Sequence, residues 1–315
     1  MHTDNPPESG SVKLNNQQMA SFAARGFVRF DAIVDDHINR QFLADVAPTP
    51  STPKSIAGHY GQIMSESDIP LVNPGTPLRA AYPRGSALAQ LLKVPQVAGA
   101  IDSLVGNDCV VDHHFLHITF PESYYPPEKR PLTSQPTHQD STIDVRQAFD
   151  VQLFYFPHAV TLAMGGTRFI PGSHLRTVSE AAIARYQNIR GQQQVVCPAG
   201  TVLFFHMGLW HGGGLNSAEE LRYMFKLRLC PMRRQTRLWD TTEDGTSDAA
   251  RPIFWTDPTQ SEAHLYSILT RPEPWFEADT SRLEYINRIK LWRYLSGDDN
   301  FDADYWLTRI ENEPT

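Results

Sequence analysis

Between residues 109 and 229 the chain keeps returning to one pattern, a short aromatic or β-branched stretch closed by a Gly, Pro or Ser turn. Stretches of this kind occupy 109–120, 150–156, 167–170, 194–196, 202–205 and 223–229. Their spacing predicts antiparallel strands of a sandwich or barrel, with one helical interruption at about 179–189. The expected fold is therefore mainly β with flanking helices.

The flanks read differently. Residues 1–12 are rich in Pro, Ser, Gly and acid and predict a disordered tail. Asn15 or Asn16 can cap a helix running through Ala24, with Gly26 as its stop, before a short strand at 27–30 and a second helix at about 35–46. Residues 47–57 form a Pro- and Ser-rich loop. Residues 87–105 have helical spacing through Leu88, Leu91, Leu92, Val97 and Ile101, and Pro95 should break or kink that helix. The organisation expected is a tail at 1–12, one folded domain at 13–230, and an extension at 231–315. The extension regains helical spacing at 281–295 through Leu283, Ile286, Ile289, Leu291 and Trp292, a stripe suited to covering the open end of the barrel or making a homo-oligomer contact.

A length of 315 residues with 41% hydrophobic content is enough for one large packed core. The formal net charge of -7 argues against a nucleic-acid partner, whose binding needs clustered Lys and Arg. Cys109, Cys197 and Cys230 are too few and too scattered for a disulfide framework or a zinc ribbon. With no apolar run near the roughly 20 residues of a membrane span, no membrane association and a cytoplasmic location are expected.

Chemistry concentrates in Gln135-Pro136-Thr137-His138-Gln139-Asp140-Ser141. On a strand, residues two apart point the same way, so His138 and Asp140 would present an imidazole and a carboxylate together. A second His would complete a two-His, one-carboxylate set for a divalent transition metal such as Fe(II), with positions left open. The segment 200–214 is an apolar strand ending in His211-Gly212-Gly213-Gly214, whose glycines permit close backbone approach, while His206 competes for the same role. His114 and His117 fall on opposite faces of their strand, so at most one enters a site. Arg222 opens the last strand, and an inward guanidinium needs a carboxylate, such as one end of a small dicarboxylate whose other end chelates the metal.

Together these residues resemble the phytanoyl-CoA dioxygenase-like family of iron(II)- and 2-oxoglutarate-dependent oxygenases. The resemblance rests on residues 17–30 with the Gly26-Phe27 step, the His138-Gln139-Asp140 tripeptide, and the run Gly165-Gly166-Thr167-Arg168-Phe169-Ile170-Pro171-Gly172-Ser173-His174. It continues through the strand to His211 and on to Arg222, spanning about 15–230 in order. It implies a double-stranded β-helix (jelly-roll, cupin-like) core in which His138, Asp140 and His211 are catalytic metal ligands. Arg222 would bind the distal carboxylate of 2-oxoglutarate, Gln135 and Thr167 would contact that cosubstrate, and O2 would be consumed. Gly213 departs from the family, many of whose members carry Ser two residues after the distal His. An intact Asp140 argues for hydroxylation or another oxidation rather than halogenation. The expected substrate is a small, partly apolar metabolite in secondary metabolism or catabolism. Its pocket walls are sought in 58–84, Tyr124, Tyr125, Trp239, Phe254 and Trp255. The alternative is a cupin-like, non-redox metal-dependent isomerase or a small-molecule-binding protein.

Overall fold

A computed structural model of the chain describes residues 10–46, 56–130, 132–140, 150–176, 188–242, 265–270 and 278–301. Helix α1 (Asn16–Arg25) starts where the capping residues place it. The Asn15 side chain accepts from the Gln18 backbone at 2.9 Å, and the Gln18 side chain accepts from the Asn15 N–H at 3.0 Å. Gly26 ends the helix at φ +82°, and a Cβ there would lie 2.6 Å from His174 Nδ1, so glycine is required twice over. The chain then enters β1 (Phe27–Phe30), as its alternation predicts.

Five further strands build a six-stranded antiparallel sheet with β1: β2 (Thr76–Pro77), β3 (Val110–Thr119), β4 (Val151–Phe156), β7 (Thr201–His206) and β9 (Arg222–Cys230), in the order β1-β7-β4-β9-β3-β2. A smaller sheet orders β6 (Gln193–Gln194), β5 (Arg168–Phe169) and β8 (His211–Gly212) as β6-β5-β8. The two sheets form the expected jelly roll, and a cavity of about 970 Å³ is lined by residues of both.

Strands β4 and β7 are buried along their whole length and, apart from Gln152, Thr201 and His206, are apolar on both faces. Alternation then divides their side chains between two cores. Val151, Leu153, Tyr155, Val202 and Phe204 join the helix-covered outer cluster, while Phe154, Phe156, Leu203 and Phe205 join an inner one with Phe27, Phe169 and Leu209. In the outer cluster Phe42 of α2 (Asp36–Asp45) meets both Tyr155 and Phe225, at centroid distances of 5.3 and 5.8 Å. Deleting such a ring costs about 3–5 kcal/mol.

Pro95 acts as expected, separating α4 (Ala87–Leu91) from α5 (Pro95–Leu104), where it occupies the first turn and its missing N–H is harmless. Residues 58–84 contain most of α3 (Ile56–Glu66) and all of β2. The expected helix at 179–189 and the residues Phe254 and Trp255 lie largely or wholly outside the described residues.

The extension contributes α6 (Leu265–Thr270) and α7 (Ala278–Ser296), and both pack against α1. Ile286, Ile289, Leu291, Trp292 and Leu295 are buried there, with Trp292 against Trp239 at 5.2 Å. These residues of the apolar stripe are thus covered within the chain. Among the described residues none beyond Cys230 lines the cavity. Trp239 is no pocket wall, since its Nε1 donates to Asn16 at the start of α1 and its ring is consumed by packing.

Candidate active site

His138 and His211 meet through their backbones. Each donates its N–H to the other's carbonyl, at 2.9 and 2.8 Å, which makes them a directly opposed antiparallel pair. Opposed residues project to the same side, so the rings lie 4.6 Å apart at a 47° tilt. The segment around His138 is not the continuous strand that the sequence implied. Among the described residues this segment forms a single bridge, and Asp140 sits in a bend two residues on.

The Nδ1 atom of each imidazole faces the carbonyl two residues before it, Pro136 at 3.0 Å for His138 and Leu209 at 2.8 Å for His211. Donation from Nδ1–H to those carbonyls leaves both Nε2 lone pairs facing the site. His138 Nε2 lies 3.7 Å from Asp140 Oδ1, and His211 Nε2 lies 3.7 Å from Oδ2. One ligand atom from each of the three residues falls within 4.8 Å of the others, a set suited to one metal ion.

Burial brings the His211 imidazole down to about 4, although Asp140 pulls the other way, so the ring is neutral at pH 7. Burial opposes ionisation of Asp140, but the positive charge of its neighbours outweighs it and holds the carboxyl below its ordinary range. With His211 neutral, that charge is chiefly Lys226, whose Nζ lies 2.5 Å from Asp140 Oδ2.

Arg222 is 3% exposed and opposes Thr119 across the β3/β9 ladder, donating from Nη2 to the Thr119 hydroxyl at 2.5 Å. Its Nε and Nη1 are buried without a partner. Burial lowers the guanidinium to about 10, which leaves it charged at pH 7. A desolvated, half-paired guanidinium facing a cavity is suited to receive a carboxylate. The fit to a metal with a dicarboxylate is therefore good at both ends.

Gln135 and Thr167 both line the cavity. The Gln135 side chain accepts from the Gly213 N–H at 2.9 Å, where a serine of the wider family would stand, and a Cβ at Gly213 would lie 3.9 Å from Arg222 Nη2. Gly212 is also needed, because a Cβ there would approach the Gln135 and Pro136 carbonyls to 3.0 Å. Tyr125 lines the cavity, whereas Tyr124 packs on Phe120 and His59. His206 is turned away, buried beside His174 and accepting from the Gly208 N–H.

Three inward residues are harder to find from sequence. His117, on the inner face of β3, is driven to about 3 by burial and by Lys226 and Arg222, while His114 points outward to the Tyr82 hydroxyl at 2.8 Å. Gln152 donates to Asp140 Oδ2 at 2.6 Å. Lys226, a conceivable carboxylate partner in the sequence, is engaged by Asp140 instead. Its signal is the strand period, four residues from Arg222.

The phytanoyl-CoA dioxygenase (PhyH) family model matches residues 74–224, a span that holds the triad and Arg222. No curated protein matches the chain. Solved structures of similar fold include HygX from Streptomyces hygroscopicus with nickel and 2-oxoglutarate bound, at 14% identity and TM-score 0.49, covering 72% of this chain and 90% of that one. The non-heme α-ketoglutarate-dependent carbocyclase SnoK from nogalamycin biosynthesis follows at 14% identity and TM-score 0.47, covering 81% and 98%. EvdMO1 shares 19% identity at TM-score 0.47, over 69% of this chain, which spans only 50% of EvdMO1. No helix among the described residues is long and apolar enough to cross a membrane. The span that matches this family model thus also holds a metal-ligand cluster and a half-paired arginine that line one cavity.

Proposed function

We propose that the chain oxidises a C–H bond of a small, partly apolar metabolite, most simply by hydroxylation. His138 and His211 hold iron(II) through Nε2, and Asp140 holds it through its carboxylate. Arg222 pairs with the distal carboxylate of 2-oxoglutarate, with Gln135 and Thr167 beside the cosubstrate. When bound, the iron, 2-oxoglutarate and O2 together supply the oxidising power to break a C–H bond, with release of succinate and CO2.

The protein's part is positioning and exclusion of water. The backbone pairing of His138 with His211 fixes the two imidazoles before any metal arrives, and the carbonyls of Pro136 and Leu209 fix their tautomers. Thr119 fixes one nitrogen of Arg222 and leaves the rest for a ligand. Phe115, Phe120, Tyr125 and Met224 give the cavity an apolar wall, while His117 and Asn216 add polar contacts for a substrate.

Arg222 is the observation that carries the reading. A cupin-like isomerase or simple binding module gives this buried cation no counter-charge, whereas 2-oxoglutarate does. A metabolite screen for substrate-dependent succinate formation tests the proposal. Succinate release coupled to an oxygenated product is expected, and release of an isomerised product without succinate would favour the alternative.

A further inference from the structure

Asp140 stands at a bend, and among the described residues this segment makes no ladder beyond the bridge at His138, so a strand is not what orients its carboxylate. Two side chains from the large sheet orient it instead. Lys226 of β9 donates to Oδ2 at 2.5 Å and Gln152 of β4 donates to the same oxygen at 2.6 Å. Lys226 is 7% exposed and Gln152 is fully buried, and both belong to paired strands, so neither is free to drift. Among the described residues Oδ1 takes no hydrogen bond, and it lies 3.7 Å from His138 Nε2.

We propose that Lys226 and Gln152 are positioning residues that commit Asp140 Oδ2 to the protein, so that the carboxylate meets the metal through Oδ1 alone. This rests on the functional reading above. A carboxylate that turns to chelate a metal with both oxygens occupies one more coordination position, which 2-oxoglutarate and oxygen would otherwise use. The Gln152 amide must present its nitrogen, since the flipped amide would set a carbonyl oxygen against the carboxylate.

Lys226 also opposes metal binding, because a cation beside the site repels a second one. A lysine there is hard to explain by affinity and is explained by geometry. The two effects have opposite signatures. Affinity for the metal should stay level or rise when Lys226 is removed, while affinity for the chelating cosubstrate should fall.

The test is to determine the crystal structure of the full chain with Ni(II) and 2-oxoglutarate, and to titrate both ligands into Lys226→Met, Lys226→Arg and Gln152→Leu. In the unsubstituted protein the metal should contact Oδ1 only, with Lys226 still on Oδ2. In Lys226→Met the carboxylate should bind through both oxygens, and the Kd for 2-oxoglutarate should rise about tenfold or more, the scale on which partners of metal ligands act. Gln152→Leu should move the same way by less, and Lys226→Arg, which keeps a charged donor, should recover most of the loss. Metal on Oδ2 or on both oxygens of the unsubstituted protein overturns the proposal. So does an unchanged 2-oxoglutarate Kd in folded Lys226→Met and Gln152→Leu. An unsubstituted chain that takes up no metal would defeat the functional reading itself.

Discussion

His138 and His211 stand with ring centroids 4.6 Å apart at a 47° tilt, and His174 and His206 stand 4.8 Å apart at 41°. The pairs are nearly alike in separation and tilt and differ in what surrounds them. The first pair has Asp140 within 3.7 Å of both rings and opens on a cavity. The second is buried between α1 and β7, with His174 facing the Ala23 carbonyl at 3.0 Å and His206 near Phe22. Burial lowers His174 to about 3 and His206 well below its ordinary value. Two close imidazoles are therefore not a site. A carboxylate and an open volume make one, and without them the same pair serves packing.

The comparison is broken most sharply by exchanging the losses. His138→Ala or His211→Ala should abolish turnover and leave the protein folded. His206→Ala should leave the metal site competent but destabilise the fold by about 2–4 kcal/mol, as a vacated core position does. Metal analysis and denaturant melts on the three variants read both effects. Metal lost with His206 and retained without His211 would reverse the assignment.

A smaller effect separates the triad from Arg222 in the function proposed. Arg222→Lys keeps the charge but loses the planar fork, so 2-oxoglutarate affinity should fall by about one to two decades while iron binding barely changes. Titration of each ligand separately measures this. An unchanged 2-oxoglutarate dependence would mean that another cation holds the acid. Arg168 is poorly placed for that, because its Nη2 donates to the Gln135 carbonyl at 2.6 Å.

A third effect is a pH dependence to which both pairs contribute in the metal-free protein. His174 and His211 fold with values of about 3 and 4, against 6.5 ordinarily. Below pH 6.5 the unfolded chain takes up protons that the folded chain refuses, so stability should fall as pH drops from 6.5 toward 4. Each of these histidines contributes about 1 kcal/mol per pH unit in that window. Asp140 acts in the same sense, since its carboxyl is also held below its ordinary range in the folded chain, but its contribution is lost only at lower pH. Denaturant melts at pH 7, 6 and 5 check the slope, and a flat profile would show that these imidazoles protonate without unfolding.

Much of this was legible where the cause is local. Asn15 and Gly26 bound α1 because capping and a positive φ are decided within a few residues. The alternation of β9 announced its inward cations, and the glycines after His211 announced a crowded backbone. What was not legible depends on distant partners or on register. Strands β2 and β8 are two residues long and carry no period. The choice of His117 over His114 follows from β3 parity, set by a register shift between Val111 and His113. The Lys226 contact with Asp140 joins residues 86 apart in sequence, and the capture of Trp239 by Asn16 joins residues 223 apart.

The most direct test of the central claim is an anaerobic titration of the chain with Fe(II) in the presence of 2-oxoglutarate, followed through the weak visible charge-transfer band of the chelate. The band should saturate at one iron per chain in the unsubstituted protein and in His206→Ala, and be absent from His211→Ala. No band in the unsubstituted protein, or a full band in His211→Ala, would contradict the account.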